Sequence, residues 1–319
     1  MNNLVLLTIA ILSLSSPFIQ GFSSFQLPIR LPWDAPATSF LTPKSPIRPN
    51  DKVVIFGATG GVGQLVTKKL LLKGYKVCVV ARDEDKARGL LLDEGDGDDI
   101  KSCLEVAQLN LVGDGKASDE ELQEIMKDAN AIVISVGTTA FPTTRWSNGN
   151  TPQAIDCDAV SRIANLATSI SNDVSKSSLR RIVLLTSVGV TRTNEMPFKI
   201  LNLFGVLDAK RSGEDAVKAA CGKANVSYSI IRPGRLVGGP YTNLDLAKLF
   251  QIEGGAENGV TLQYGDALLG DCKRDACAEG VVQALENESC VDVEFSVISN
   301  EEKALSTGEW GEAFEGMRR

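Results

Sequence analysis

The chain has 319 residues, no histidine, and 33 Lys and Arg against 40 Asp and Glu, a formal charge of −7. That length suits one large domain or two small ones, and the acidic balance argues against a nucleic-acid partner. Without histidine there is no histidine triad, metal ligand or acid–base step, and seven cysteines with no C-x-x-C pair read as buried thiols of a reducing compartment rather than a disulfide or zinc framework.

Leu4–Leu14 (LVLLTIAILSL) is an apolar run of signal-peptide length, too short to span a bilayer. Phe22–Asn50 is rich in Ser, Thr and Pro and carries Arg30, Lys44 and Arg48 against a single acid, Asp34, which is the composition of a transit segment. This order predicts a targeting presequence over residues 1–50 and a folded body over 51–319. A signal followed by a phenylalanine-led transit segment resembles the bipartite presequences of algae with complex plastids, which implies the chloroplast stroma. Secretion or an endomembrane lumen is the alternative, and the unpatterned cysteines speak against it.

In the body, short apolar runs alternate with helical patterns. Strands are predicted at Val53–Phe56, Lys76–Ala81, Leu104–Leu109, Ala131–Val136, Arg181–Thr186, Ser227–Arg232 and Val293–Ile298. Helices are predicted at Gly63–Lys73, Glu84–Leu92, Asp119–Asp128, Ala154–Ile170, Asp208–Cys221 and Asp275–Leu285. Asp93–Asp99 (DEGDGDD) reads as a solvated acidic loop, and Lys68 and Lys69 as the outward face of the first helix. Repeated β-α alternation with near-continuous apolar strands means an α/β fold, a doubly wound parallel sheet covered on both faces. Pro233–Asp275 is long for a connection and predicts small elements that form a C-terminal lobe.

The stretch after the first strand, Gly57-Ala58-Thr59-Gly60-Gly61-Val62-Gly63, opens a helix. Gly57 allows a tight turn, Gly60 lets backbone approach a pyrophosphate, and Gly63 permits close helix–strand contact at a helix N-terminus rich in free N–H groups. Thr59, Gly61 and Val62 complete the expected phosphate cradle. The second strand ends at Arg82, with Lys86 a turn further on, where a cation accommodates a ribose 2′-phosphate and a carboxylate would instead accept from a free 2′-hydroxyl. Arg82 favours NADP(H) over NAD(H), although neighbouring Asp83 leaves the free hydroxyl open.

GATGGVG at Gly57, LLTSVGV at Leu184 and YSIIRPGRL at Tyr228 resemble the atypical short-chain dehydrogenase/reductases, NAD(P)-binding Rossmann proteins of the NmrA-like kind. FPTTRWSNGNTP (Phe141–Pro152), NEMPFKILNLFGVL (Asn194–Leu207) and GGPYTNLDL (Gly238–Leu246) resemble uncharacterised plastid members in plants and algae. The resemblance implies that Asn110 and Leu111 border the adenine and Val136 and Gly137 the central ribose, with Pro233 and Gly234 set against the nicotinamide. It implies catalytic roles for Ser187, on the substrate oxygen, and Lys210, on the ribose. The position of the usual proton-donating tyrosine is Val206, which cannot transfer a proton. Tyr228, Tyr241, Tyr264 or Lys210 itself remain as donors, and Trp146 is either a loop anchor or part of the substrate cleft. The implied function is NADP(H) binding with oxidoreductase activity on an unidentified small substrate. The alternative is a non-catalytic NADPH-sensing or assembly protein of the plastid with a protein partner. No metal, nucleic acid or membrane span of the mature chain is expected.

Overall fold

A computed structural model describes residues 45–170, 178–239 and 258–317. The expected signal and transit segments up to residue 44, Tyr241 and much of the expected C-terminal lobe lie outside these residues.

The first half runs β1 (Lys52–Phe56), α1 (Gly61–Leu72), β2 (Lys76–Ala81), α2 (Glu84–Leu91), α3 (Asp98–Ser102), β3 (Leu104–Gln108), α4 (Asp119–Met126) and β4 (Ala131–Ile134). A π-helical turn (Gln153–Ala159) leads into α5 (Val160–Ile170), followed by β5 (Arg181–Leu185), α6 (Phe198–Leu201), α7 (Val206–Ala224) and β6 (Ser227–Pro233). The remainder comprises β7 (Arg235–Val237), β8 (Asn258–Tyr264), β9 (Asp271–Lys273), α8 (Arg274–Glu286), β10 (Val293–Lys303) and α9 (Thr307–Met317). The main sheet has the order β3-β2-β1-β4-β5-β6-β10-β8, and β7 pairs with β9 in a small second sheet. Every pair in the main sheet is parallel except β10 with β8.

Alternation along each strand divides the core into two layers. Val53 and Ile55 of β1 pack with residues of α1 and α8, while Val54 and Phe56 pack on the opposite face with residues of α4, α5 and α7. The sheet is therefore doubly wound, as its apolar strands imply. Among the described residues no helix is long and apolar enough to cross a membrane. All seven cysteines are free thiols, five of them buried, and burial pushes the Cys78 and Cys221 thiols up to about 12.

The structure departs from the sequence reading at several points. α1 begins at Gly61, two residues before the expected start, so Gly61-Val62-Gly63 is its first turn. The acidic run is not all loop: Asp98 and Asp99 open α3, where carboxylates suit the positive end of the helix dipole. Lys68 and Lys69 are not free in solvent, since Lys68 pairs with Asp93 at 2.8 Å and Lys69 bridges to Asp275 and Glu279 of α8 at 3.2 and 2.9 Å. β10 continues past Ile298 to Lys303 because β8 pairs along it. Ile47, within the stretch read as presequence, is fully buried and donates its N–H to the Leu285 carbonyl at 3.0 Å.

Candidate functional site

The strand order reverses between β1 and β4, and the crevice beyond the carboxyl ends of these strands is where open α/β sheets take their ligands. The glycine turn sits at this point. Gly57 has φ +89°, and a Cβ there would lie 2.6 Å from the Ser135 carbonyl at the end of β4. At Gly63 a Cβ would lie 2.2 Å from the Gly57 oxygen, so the turn and α1 touch backbone to backbone. Gly60 is the N-cap of α1 in extended conformation with no side-chain cap, which leaves the first-turn N–H groups for an anion. Gln64 Nε2 donates to the Thr59 carbonyl at 2.9 Å and steadies the turn from within. These residues fit a dinucleotide pyrophosphate.

At the end of β2, Arg82 is exposed, and its carbonyl accepts from Gln108 Nε2 at 3.3 Å. Asp83 caps α2, one carboxylate oxygen accepting from the Lys86 N–H at 2.9 Å. Leu109 donates to the Ala81 carbonyl at 2.9 Å, which brings Asn110 and Leu111 beside the Arg82 corner.

On the other side of the crevice stands Lys210, on α7. Its Nζ donates to Asp156 Oδ1 at 2.5 Å, and the Lys210 and Asp156 side chains are 12% and 1% exposed. Asp156 Oδ2 accepts from the Thr138 N–H at 3.1 Å and from the Thr138 hydroxyl. A Cβ at Gly137 would fall 3.0 Å from Lys210 Nζ, so Gly137 and Lys210 are brought together as expected positions for one ribose would be.

Ser187 is half-buried, and its hydroxyl donates to the Val188 carbonyl at 3.0 Å. The Val188 N–H donates to Pro233 O at 3.0 Å, which sets Ser187 next to Pro233 and Gly234 across the ends of β5 and β6. Val206 is 3% exposed and packs with Val188, Val190, Phe198 and Leu207 in a small apolar cluster of its own. Of the chain's four tyrosines, Tyr228 begins β6, Tyr264 pairs opposite Phe295 near the start of β10, and Tyr75 precedes β2. Tyr75 and Tyr228 lie toward the amino ends of the parallel strands, away from the crevice, whereas Tyr264, through Phe295 and Ile231, is level with Leu185 at the carboxyl end of β5, out on the edge strand. Trp146 lies in the loop after β4. Its Nε1 donates to Thr139 Oγ1 at 3.1 Å, and its ring meets Phe204 edge-on at 6.1 Å, with Phe141 on the same Phe204 at 6.1 Å.

Beneath Pro233 lies a buried ionic network. Arg232, 1% exposed, donates from Nε to Glu214 Oε1 at 2.9 Å and from Nη2 to Glu214 Oε2 at 2.7 Å, and Nη2 also meets Glu294. Thr186 Oγ1 donates to Glu214 Oε1 at 2.6 Å. Burial alone would lower the Arg232 pKa, but the Glu214 hydrogen bonds and charge, followed by Glu294, raise it above the usual arginine value. Lys210 and Glu214 are four residues apart on one face of α7, so a single helix carries both the crevice cation and the buried anion.

Asp156, Thr138 and Glu214 were absent from the sequence expectations. Asp156 did leave a trace: it precedes Ala159, Val160 and Ile163 at helical spacing, which makes it a carboxylate on the apolar stripe of its helix. Nothing in the local sequence marks Thr138.

Comparison with known proteins bears on the same crevice. The chloroplastic protein TIC 62 of Arabidopsis thaliana is 29% identical over 224 residues, covering 66% of this chain and 32% of that protein. The Pisum sativum protein of that name is 27% identical, covering 66% of this chain and 41% of its own length. The chain thus spans between about a third and two fifths of these curated relatives. An uncharacterised chloroplastic protein of Arabidopsis thaliana is 26% identical, with 74% of this chain and 72% of that protein covered. Among solved structures, a putative NAD-dependent epimerase/dehydratase from Bacillus halodurans superposes with a TM-score of 0.56 at 18% identity, covering 83% of this chain and 99% of that one. A short-chain dehydrogenase/reductase from Veillonella parvula in complex with NADP gives 0.52 at 13% identity, covering 80% and 99%. These two structures share the fold. The match to a known family begins on Gly57, the first residue of the turn, and runs to residue 288, past the end of α8; by that match the chain belongs to the NAD(P)H-binding family.

Proposed function

We propose that the chain binds NADP(H) in preference to NAD(H) and serves in the plastid as an oxidoreductase on a small acceptor that draws its proton from water. The observation that carries the cofactor choice is the end of β2. There the Asp83 carboxylate is committed to the α2 cap while the Arg82 side chain is exposed beside the ribose position. Gly57, Thr59, Gly60, Gly61, Val62 and Gly63 would hold the pyrophosphate, and Asn110 and Leu111 the adenine. Val136, Gly137 and Lys210 would meet the ribose, and Ser187, Pro233 and Gly234 the nicotinamide side. The reduced nicotinamide supplies a hydride when bound. Lys210 and Ser187 are the polar side chains that would orient an acceptor there, and Val206 offers it no proton.

Charge-assisted hydrogen bonds to a 2′-phosphate contribute about 1.5–3 kcal/mol each before entropy is counted. Arg82→Ala is therefore expected to weaken NADPH binding about tenfold or more and to leave NADH nearly unchanged. Calorimetry with both nucleotides tests this, and an equal loss for the two would mean that Arg82 does not read the phosphate.

Chloroplastic relatives and free thiols support the plastid as destination, with a leader that ends upstream of the buried Ile47. A fluorescent fusion of residues 1–50 should reach the plastid, and its export to the medium would overturn this. The burial of Val206 favours a second reading, in which the chain senses NADPH without turnover and presents its surface to a plastid partner. Quinone-dependent NADPH consumption supports the first reading. Partner capture that depends on NADPH, without consumption, supports the second.

A further inference from the structure

We infer that Asp156 is a positioning residue for the nicotinamide half of the cofactor, acting by holding the Lys210 ammonium at the carboxyl edge of β4. The inference rests on the reading above, that Lys210 meets the ribose. A lysine ammonium is a point charge on a flexible four-carbon stem, and unless something fixes it, binding must order it. In the arrangement that the superfamily resemblance implies, a tyrosine stands one helical turn before the lysine. Here that position is Val206, buried among Val188, Val190, Phe198 and Leu207, so nothing from that turn of α7 reaches the ammonium. Asp156 reaches it from the opposite element.

The carboxylate is itself held. Oδ1 accepts from Lys210, and Oδ2 accepts from the Thr138 N–H at 3.1 Å and from the Thr138 hydroxyl, so it is tied to the residue that follows Gly137 at the crevice. Two close backbone approaches make the pair possible. A Cβ at Gly213 would lie 2.3 Å from the Asp156 carbonyl, so α7 lies directly on the π-helical turn. A Cβ at Gly137 would lie 3.0 Å from Lys210 Nζ and 3.3 Å from Asp156 Oδ1. π-Helical turns recur at functional sites, and this one places a carboxylate on an otherwise apolar stripe. A pair that merely tied α5 to α7 could have been apolar, because buried ion pairs are weak sources of stability. Only one of the three ammonium donors is needed for Oδ1, which leaves donors for neutral ribose hydroxyls. Those hydroxyls need direction rather than net charge, and an ammonium neutralised by Asp156 still gives direction.

The test uses two probes on the full chain: NADPH, and 2′,5′-ADP, which carries the adenosine half with its 2′-phosphate and no nicotinamide riboside. Asp156→Asn keeps the shape and an acceptor for Thr138, and should weaken NADPH about tenfold while leaving 2′,5′-ADP unchanged. Lys210→Ala should show the same split. The double variant should be no weaker than Lys210→Ala alone, because Asp156 acts through Lys210. Thr138→Val leaves the ion pair and the N–H bond of residue 138 in place but removes the hydroxyl bond to the carboxylate, and should give a smaller loss confined to NADPH. It decides the matter if Asp156→Asn does not fold. Equal losses for both probes, unchanged NADPH affinity in Asp156→Asn, or losses that multiply in the double variant would overturn the inference. A wild-type chain that binds NADPH no more tightly than 2′,5′-ADP would instead remove the placement of Lys210 at the ribose, and the inference with it.

Discussion

Glu214→Ala should lower the free energy of unfolding by about 3–5 kcal/mol, because it leaves a buried guanidinium without its main counter-charge. Glu214 is fully buried and takes two hydrogen bonds from Arg232, at 2.9 and 2.7 Å, and a third from Thr186 at 2.6 Å. After its removal Arg232, 1% exposed, keeps Glu294, which lies nearer the surface at 23%. Urea unfolding should show an earlier midpoint with an unchanged slope, and a loss below about 1 kcal/mol would mean that Glu294 suffices. Replacing both partners, Glu214→Leu with Arg232→Met, should recover much of the stability, since apolar substitutes avoid the desolvation of two ions. The network also predicts the response to acid. Burial raises the Glu294 pKa, but Arg232 and then Lys218 outweigh it and hold the carboxyl below its usual value. Its contribution is therefore complete above the ordinary glutamate value of about 4.3 and is lost as the pH falls through the lowered one. Acid sensitivity in that window should shrink in Glu294→Gln.

The second large effect concerns the reaction. General acid catalysis contributes about 10²–10⁴-fold, and Val206, which stands at the usual tyrosine position, cannot provide it. The wild-type chain should therefore bind NADPH yet reduce a simple aldehyde at close to the uncatalysed rate. Val206→Tyr is not expected to restore the rate. Val206 packs into an enclosed apolar cluster, so a phenol there meets Val188 and Phe198 instead of the crevice and overpacks it by about 1–3 kcal/mol. Spectrophotometric NADPH oxidation with an aldehyde, run beside a melting curve of the variant, checks both parts. Fast wild-type aldehyde reduction that disappears in Tyr241→Phe would overturn the argument and identify Tyr241 as the acid.

What could be read from the sequence was what local pattern determines. β2 ends where its apolar run ends, and the glycines declare a turn because Gly57 and Gly63 sit where backbone crowds backbone. Elements that depend on distant partners were not legible. β8 is a strand because β10 lies beside it, and α3 is a single acidic turn too short for a periodic signal. The site divides along the same line. The phosphate cradle is contiguous in the chain, whereas Asp156 and Lys210 are 54 residues apart and meet through the packing of α7 on a π-helical turn. The resemblance led to Lys210 but gave no hint of its counter-ion. Val206 was recognised as a missing acid, but only its neighbours reveal that the side chain has left the crevice.

The strand order has a temporal consequence for a chain made from its amino end. β1, β2, β3 and β4 can assemble as soon as residue 134 has emerged, and the phosphate cradle with them. The other half must wait. α1 and the segment before β1 gain the rest of their covering when α8 arrives, through the Lys69 bridges and the Ile47–Leu285 bond. The second carboxylate facing Arg232 arrives still later, with β10. Such long-range closure is slow and leaves apolar surface open in the meantime. A chain that folds in this order would pass through an interval in which a nucleotide cradle exists on a half-clad sheet, and an early-bound ligand would act there as a folding nucleus.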